Sequence, residues 1–142
     1  MIARAIARYI RISPKKLRLV VNAIRGKGVE EALAILMNTN KKASELVGEV
    51  IESAAKNAQR KYPEKKYVYN DLYISKIAAD EGPALARYRA ASMGRAVMIK
   101  KRTSHIFVGL DVRPERAEQT AQTKKKRKKI TVKKPALAKG SK

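Results

Sequence analysis

The chain has 142 residues, 44% of them hydrophobic, and 34 Lys+Arg stand against 12 Asp+Glu for a net charge of +22. That length suits one domain with a modest core, and that charge points to an anionic partner, nucleic acid before an acidic membrane surface. Without cysteine there are no disulfides and no usual structural zinc sites; no transmembrane-length apolar run is present and no apolar signal core follows Met1, so a cytoplasmic protein is expected.

Ile2 to Ile12 is extended in character, although Arg4 and Arg8 interrupt its alternation. A first helix follows. Ser13 is its candidate N-cap and Pro14 suits the first helical position. Leu17, Val20, Val21 and Ile24 recur at the spacing of a buried stripe, and Gly26 can close the helix in the left-handed conformation. Helix two carries Glu30 and Glu31 in its first turn, where carboxylates suit the helix dipole. Its apolar face is Val29, Ala32, Leu33, Leu36 and Met37. Helix three takes Asn40 as a possible cap and buries Ala43, Leu46, Val47, Val50, Ile51, Ala54 and Ala58. Glu45, Glu49, Glu52 and Lys56 lie on its other face, which would repel phosphate and so faces solvent or protein.

Leu72 to Ala79 reads as a strand, and Ile106, Val108, Leu110 and Val112 alternate with Phe107, Gly109 and Asp111 as a half-buried partner, paired antiparallel. Helices gathered on one face of a small antiparallel sheet make an α+β domain: three helices on the sheet, with a long protruding β-hairpin and a basic C-terminal tail. No internal repeat is visible.

The hairpin is inferred from residues 80 to 104. Between Glu81 and Asp111 there is no acidic residue, while Arg87, Arg89, Arg95, Lys100, Lys101 and Arg102 all fall in that gap. Alanine is the commonest of the intervening apolar residues, too small to offset the entropy of ordering the segment alone. Gly82-Pro83 opens it with a turn signal and Gly94 breaks it again. Two strand arms of about ten residues, each reaching roughly 30 Å, would present these cations to a polyanion. Tyr88 would either stack on a base or pack on the opposite arm. A disordered surface loop of this length is uncommon in a compact domain.

The basic residues of helix one, Lys15, Lys16, Arg18, Arg25 and Lys27, share an exposed surface without a carboxylate, so RNA contact is favoured over a merely solvated face. Arg8 and Arg11, just ahead, are expected to join that patch. From Arg113 to Lys142 there are 12 Lys+Arg and 2 Glu, including KKKRKK at 124–129. This tail is too poor in apolar residues to fold and should be disordered when unbound; it would either neutralise nucleic-acid phosphates or act as a polycation with no fixed site. The domain boundary is therefore placed near Val112, dividing a 1–112 body from a 113–142 tail.

Chemistry is scarce. His105 is the only histidine, with no Cys or carboxylate at ligand spacing, so a metal role is not expected. It lacks a nucleophile or an orienting acid for catalysis and is assigned a hydrogen bond to RNA or backbone. Asp80-Glu81 before a Gly-Pro turn bends or caps a strand. No glycine-rich phosphate loop and no catalytic constellation appears, which argues against an enzyme and against a cofactor.

The segments SPKKLRLVVNAIRGK at 13–27, TNKKA at 39–43, DEGP at 80–83, GRA at 94–96 and KRTSHI at 101–106 occur in this order. Together they resemble the bacterial large-ribosomal-subunit protein twenty-two family over residues 2 to 112. The resemblance implies a globular body on large-subunit rRNA near the exit of the nascent-peptide tunnel, with a β-hairpin forming part of the tunnel wall. It also implies a role in subunit assembly. The implied partners are rRNA, neighbouring large-subunit proteins and the nascent peptide, with no membrane and no homo-oligomer. The implied rRNA-binding set is Arg8, Arg11, Lys15, Lys16, Arg18, Arg25, Lys27, Arg87, Tyr88, Arg89, Arg95, Lys100, Lys101, Arg102 and His105. The implied tip runs Leu85, Ala86, Arg87, Tyr88, Arg89, Ala90, Ala91, Ser92, Met93 and Gly94. Relatives are richer in Lys and Arg at the tip, so these alanines imply a smaller and less charged lumen-facing surface. An architectural DNA-binding protein with β-arms is the competing reading, but Arg-Tyr-Arg-Ala-Ala is a poor apolar wedge. A lipid-docking module would leave the hairpin unexplained.

Overall fold

The computed structural model describes residues 1–65 and 67–113; the expected tail, Arg113 apart, lies outside the described residues. Met1–Val112 forms one compact unit. Strand β1 (Ala3–Ile10) leads into helices α1 (Pro14–Ile24), α2 (Val29–Asn38) and α3 (Lys42–Lys61). Short 3-10 turns at Pro63–Lys65 and Tyr69–Asp71 precede β2 (Leu72–Glu81); β3 (Leu85–Ala90), β4 (Ala96–Lys101) and β5 (Ser104–Val112) complete the unit. The three-stranded sheet has the order β1-β5-β2, with both pairings antiparallel, and β3 pairs with β4 in a separate two-stranded ribbon. The α+β class holds.

Period-2 and period-3.6 patterns meet in one core. Ile106, Val108 and Leu110 of the central strand are fully buried between Ala3 and Ala5 of β1 and Leu72, Ile74 and Ile77 of β2. Above them sit Leu17, Val21 and Ile24 of α1, Val29 and Ala32 of α2, and Val47, Ile51, Ala54, Ala55 and Ala58 of α3. Alanines on both α3 and β1 let helix and strand approach closely where they pack. Asp71 is buried and accepts the Val68 N–H at 3.0 Å, ordering the entry to β2.

Each sheet edge, whose backbone groups lack a neighbouring strand, is partly capped by hydrogen bonds. On the β1 side, Asn57 Nδ2 donates to Arg4 O at 3.2 Å and Lys61 Nζ to Ile2 O at 3.4 Å. On the β2 side, Ile74 N–H donates to Lys27 O at 2.9 Å, and Arg18 Nε donates to Ala79 O at 3.1 Å.

Helix punctuation follows the sequence at α1. Pro14 is at N1 and Gly26 takes φ +77°, though the Ser13 side chain makes no capping bond; its carbonyl accepts the Lys16 and Leu17 N–H groups instead. Two expectations are corrected. The α3 cap position falls on Lys41 rather than Asn40, because the chain turns one residue later through a Lys41 N–H to Thr39 O bond. Met37 is 83% exposed, since the buried face of α2 is Val29, Ala32 and Leu36, and Met37 lies about 100° round from Leu36.

Candidate nucleic-acid interface

The interface starts from the two breakers in 80–104. β2 and β5 remain paired to Glu81↔Ser104, then Gly82 and Thr103 form a junction before pairing resumes at Leu85↔Lys101. Gly82 N–H donates to Thr103 O at 3.0 Å, and Thr103 Oγ1 donates to Pro83 O at 2.7 Å. The ribbon is thus a continuation of the body's own strand pair with a stapled joint. Six residues of β3 at about 3.3 Å each reach roughly 20 Å, less than ten-residue arms would, because Gly82–Ala84 and Arg102–Thr103 are given to the joint.

Every residue of β3 is exposed, as is all of β4 except the half-buried Ile99. The turn itself is confined to Ala91–Arg95, with Met93 at φ +58° and Gly94 at φ +69°. Leu85 to Ala90, read from sequence as tip, is therefore an arm. Tyr88 stands opposite Met98 across the ribbon yet keeps 74% of its surface.

At the base of the ribbon lies a cleft of about 880 Å³. Arg11 and Lys16 line it from the α1 side, Lys41 and Lys42 from the start of α3, and Arg87, Lys100, Lys101 and Arg102 from the ribbon. Ile12, Leu19, Leu85 and Ala43 supply apolar floor and wall, and no carboxylate is among its described lining residues. Cations crowded into a concave surface repel one another and focus a strong positive potential. A polyanion in such a cleft would relieve that repulsion. Arg102 is partly engaged already, 4.0 Å from Glu81, but both groups are more than half exposed, so the pair is weak.

The remaining sequence candidates are distributed around this cleft. Lys15, Arg8 and Arg25 are exposed outside its lining, as are Arg89 and Arg95 along the ribbon. Lys27 is half-buried and bonds Glu31 at 2.5 Å, which reduces its availability. Arg18 is exposed, but its Nε is spent on the β2 edge. His105 Nδ1 accepts the Tyr9 N–H at 3.0 Å, so its hydrogen bond goes to backbone. Sequence reasoning missed Lys41 and Lys42, although both sit in the quoted TNKKA segment. It also missed Tyr9, whose only signal was the broken alternation near Arg8.

Glu45, Glu49 and Glu52 line a second groove between α2 and α3, and Lys41 and Lys42 line it too. Lys41 and Lys42 thus stand at the border between the basic cleft and the acidic groove. Among the described residues no cluster of three or more His, Cys, Asp or Glu is placed to hold a metal, and no helix is long and apolar enough to cross a membrane.

Comparison with known proteins agrees with this chemistry. A family model described as ribosomal protein L22p/L17e matches residues 5–111. The large ribosomal subunit protein uL22 of Halothermothrix orenii is 48% identical over 115 residues, covering 81% of this chain and 99% of the relative. Its namesake in Thermoanaerobacter sp. is 52% identical over 108 residues, covering 76% and 95%. That of Rubrobacter xylanophilus is 48% identical over 107 residues, covering 75% and 82%.

Proposed function

The chain belongs to the ribosomal protein L22p/L17e family, and from that premise we propose how its surfaces work in the large ribosomal subunit. It is a structural ribosomal constituent rather than an enzyme. Its 1–112 body sits on large-subunit rRNA, with the cleft at the ribbon base taking the phosphodiester backbone. Lys15, Arg8 and Arg25 extend that contact over the body, and Arg89 and Arg95 extend it along the ribbon. The β3–β4 ribbon forms part of the nascent-peptide tunnel wall, its Ala-rich turn leaving room in the lumen. Neighbouring large-subunit proteins meet the faces that rRNA leaves free, and the chain supports subunit assembly by joining rRNA segments at body and ribbon.

One observation carries this reading: eight cations converge on one cleft with no carboxylate among its described lining residues. Lysine and arginine neutralising several phosphates release counterions, so affinity must fall steeply with salt. The test compares large-subunit rRNA, duplex DNA and anionic vesicles at one salt concentration, then follows the rRNA arm across salt. Preference for rRNA with a steep slope supports the reading. Equal binding to duplex DNA, or stronger binding to vesicles, replaces it with the architectural or lipid alternative.

A further inference from the structure

β1 carries a bulge at Arg8 and Tyr9, and the rRNA reading above makes no use of Tyr9. Ala7 pairs with Ile106 and Ile10 with Ser104, so Arg8 and Tyr9 together oppose the single residue His105. Bulges re-aim a side chain out of the strand's alternation. The re-aimed residue is Tyr9, at φ +59°. Glycine is the residue that adopts such a backbone without cost, whereas a tyrosine held there is strained. Two contacts fix it: its N–H donates to His105 Nδ1 at 3.0 Å, and its ring meets the His105 ring at 4.9 Å between centroids, 86° between planes. An edge contact of this kind leaves most of an aromatic surface open, and Tyr9 is 63% exposed.

The surroundings identify what such a ring would meet. Arg8 and Arg11 are exposed on either side of it in the chain, and Arg11 and Ile12 line the basic cleft. An oriented aromatic surface beside a phosphate-binding track is how proteins hold an unpaired nucleotide: the ring stacks on the base while arginines take the backbone. We propose that Tyr9 is a stacking platform for an unpaired RNA base at the mouth of the cleft, with Arg8 and Arg11 on the flanking phosphates. This rests on the rRNA reading.

The test titrates the full chain with a large-subunit rRNA transcript. Tyr9→Ala should weaken binding about tenfold while leaving the salt slope unchanged, because stacking releases no counterions. Tyr9→Phe should bind like the unsubstituted chain. The chain has no tryptophan, so Tyr9→Trp places a single reporter whose emission should be quenched as rRNA binds. Tyr9→Gly separates binding from folding, since it relieves the positive φ and should melt no lower than Tyr9→Ala, yet lose affinity alike. If the folded Ala and Gly variants bind as tightly as the unsubstituted chain, which itself binds with a steep salt slope, the platform is wrong and the rRNA reading stands. If the unsubstituted chain shows no affinity for the transcript, both fall.

Discussion

Thr103 and Pro83 are twenty residues apart in the chain, yet the Thr103 hydroxyl donates to the Pro83 carbonyl at 2.7 Å and ties the ribbon to the body. Thr103 is buried and Pro83 is exposed, so Thr103→Val keeps the packing, and Pro83 O can rehydrate. The expected cost is about 1 kcal/mol, with amide exchange accelerating in 85–101 more than in α3. Gly82→Ala should be worse, because a Cβ there runs into Thr103 Oγ1 and comes within 3.2 Å of His105 Nε2. Equal exchange in the Thr103→Val variant and the parent would show that the joint holds without the hydroxyl.

Arg18 and its neighbours Lys15 and Lys16 look alike in sequence but should behave oppositely. Arg18→Ala exposes the Ala79 carbonyl on the β2 edge and should lower stability by about 1 kcal/mol, read by thermal or urea unfolding. Lys15→Ala with Lys16→Ala should leave unfolding unchanged and reduce the salt slope of rRNA binding by about one per lost phosphate contact. A stability loss in the lysine pair, or none for Arg18, reverses this division.

The ribbon should be dispensable for folding. β3 and β4 contribute nothing to the buried core, and an isolated two-stranded hairpin is marginal in water. Replacing residues 85–101 with a short Gly-Ser turn should leave the melting temperature of the body within a few degrees, while exchange protection in the intact chain is weak in the ribbon and strong in α3. A body that fails to fold without the ribbon contradicts this.

Ser44 gives a prediction of opposite sign. Its side chain is buried in the first turns of α3 and, among the described residues, its hydroxyl has no hydrogen-bond partner. Ser44→Ala removes an unsatisfied polar group and improves helix propensity, so it should stabilise by roughly 0.5–1 kcal/mol. Destabilisation would mean that the hydroxyl is bonded in solution.

Local signals carried far in this chain. Pro14 and Gly26 bracket α1 as their backbone preferences require, and the alternation of Ile106, Val108 and Leu110 marks the strand that became the sheet centre. What sequence could not supply was long-range. Arg18 reads as one more surface cation until β2 is placed beside it. Lys41 and Lys42 carry no local signal of a role, and gain one only where the ribbon base closes a cleft over them. Tyr9 was hidden because its conformation is imposed by the register of β1 on β5, with no glycine to announce it. Met37 fitted a broad apolar face, but α2 buries only a narrow one.

The most direct measurement is a density map of large subunits reconstituted with this chain. The account predicts rRNA backbone in the cleft, with phosphates at ion-pairing distance from Lys41, Lys42, Lys100 and Lys101, and no rRNA against Glu45, Glu49 and Glu52. A cleft open to solvent or filled by protein, with rRNA lying on the acidic groove instead, would contradict it.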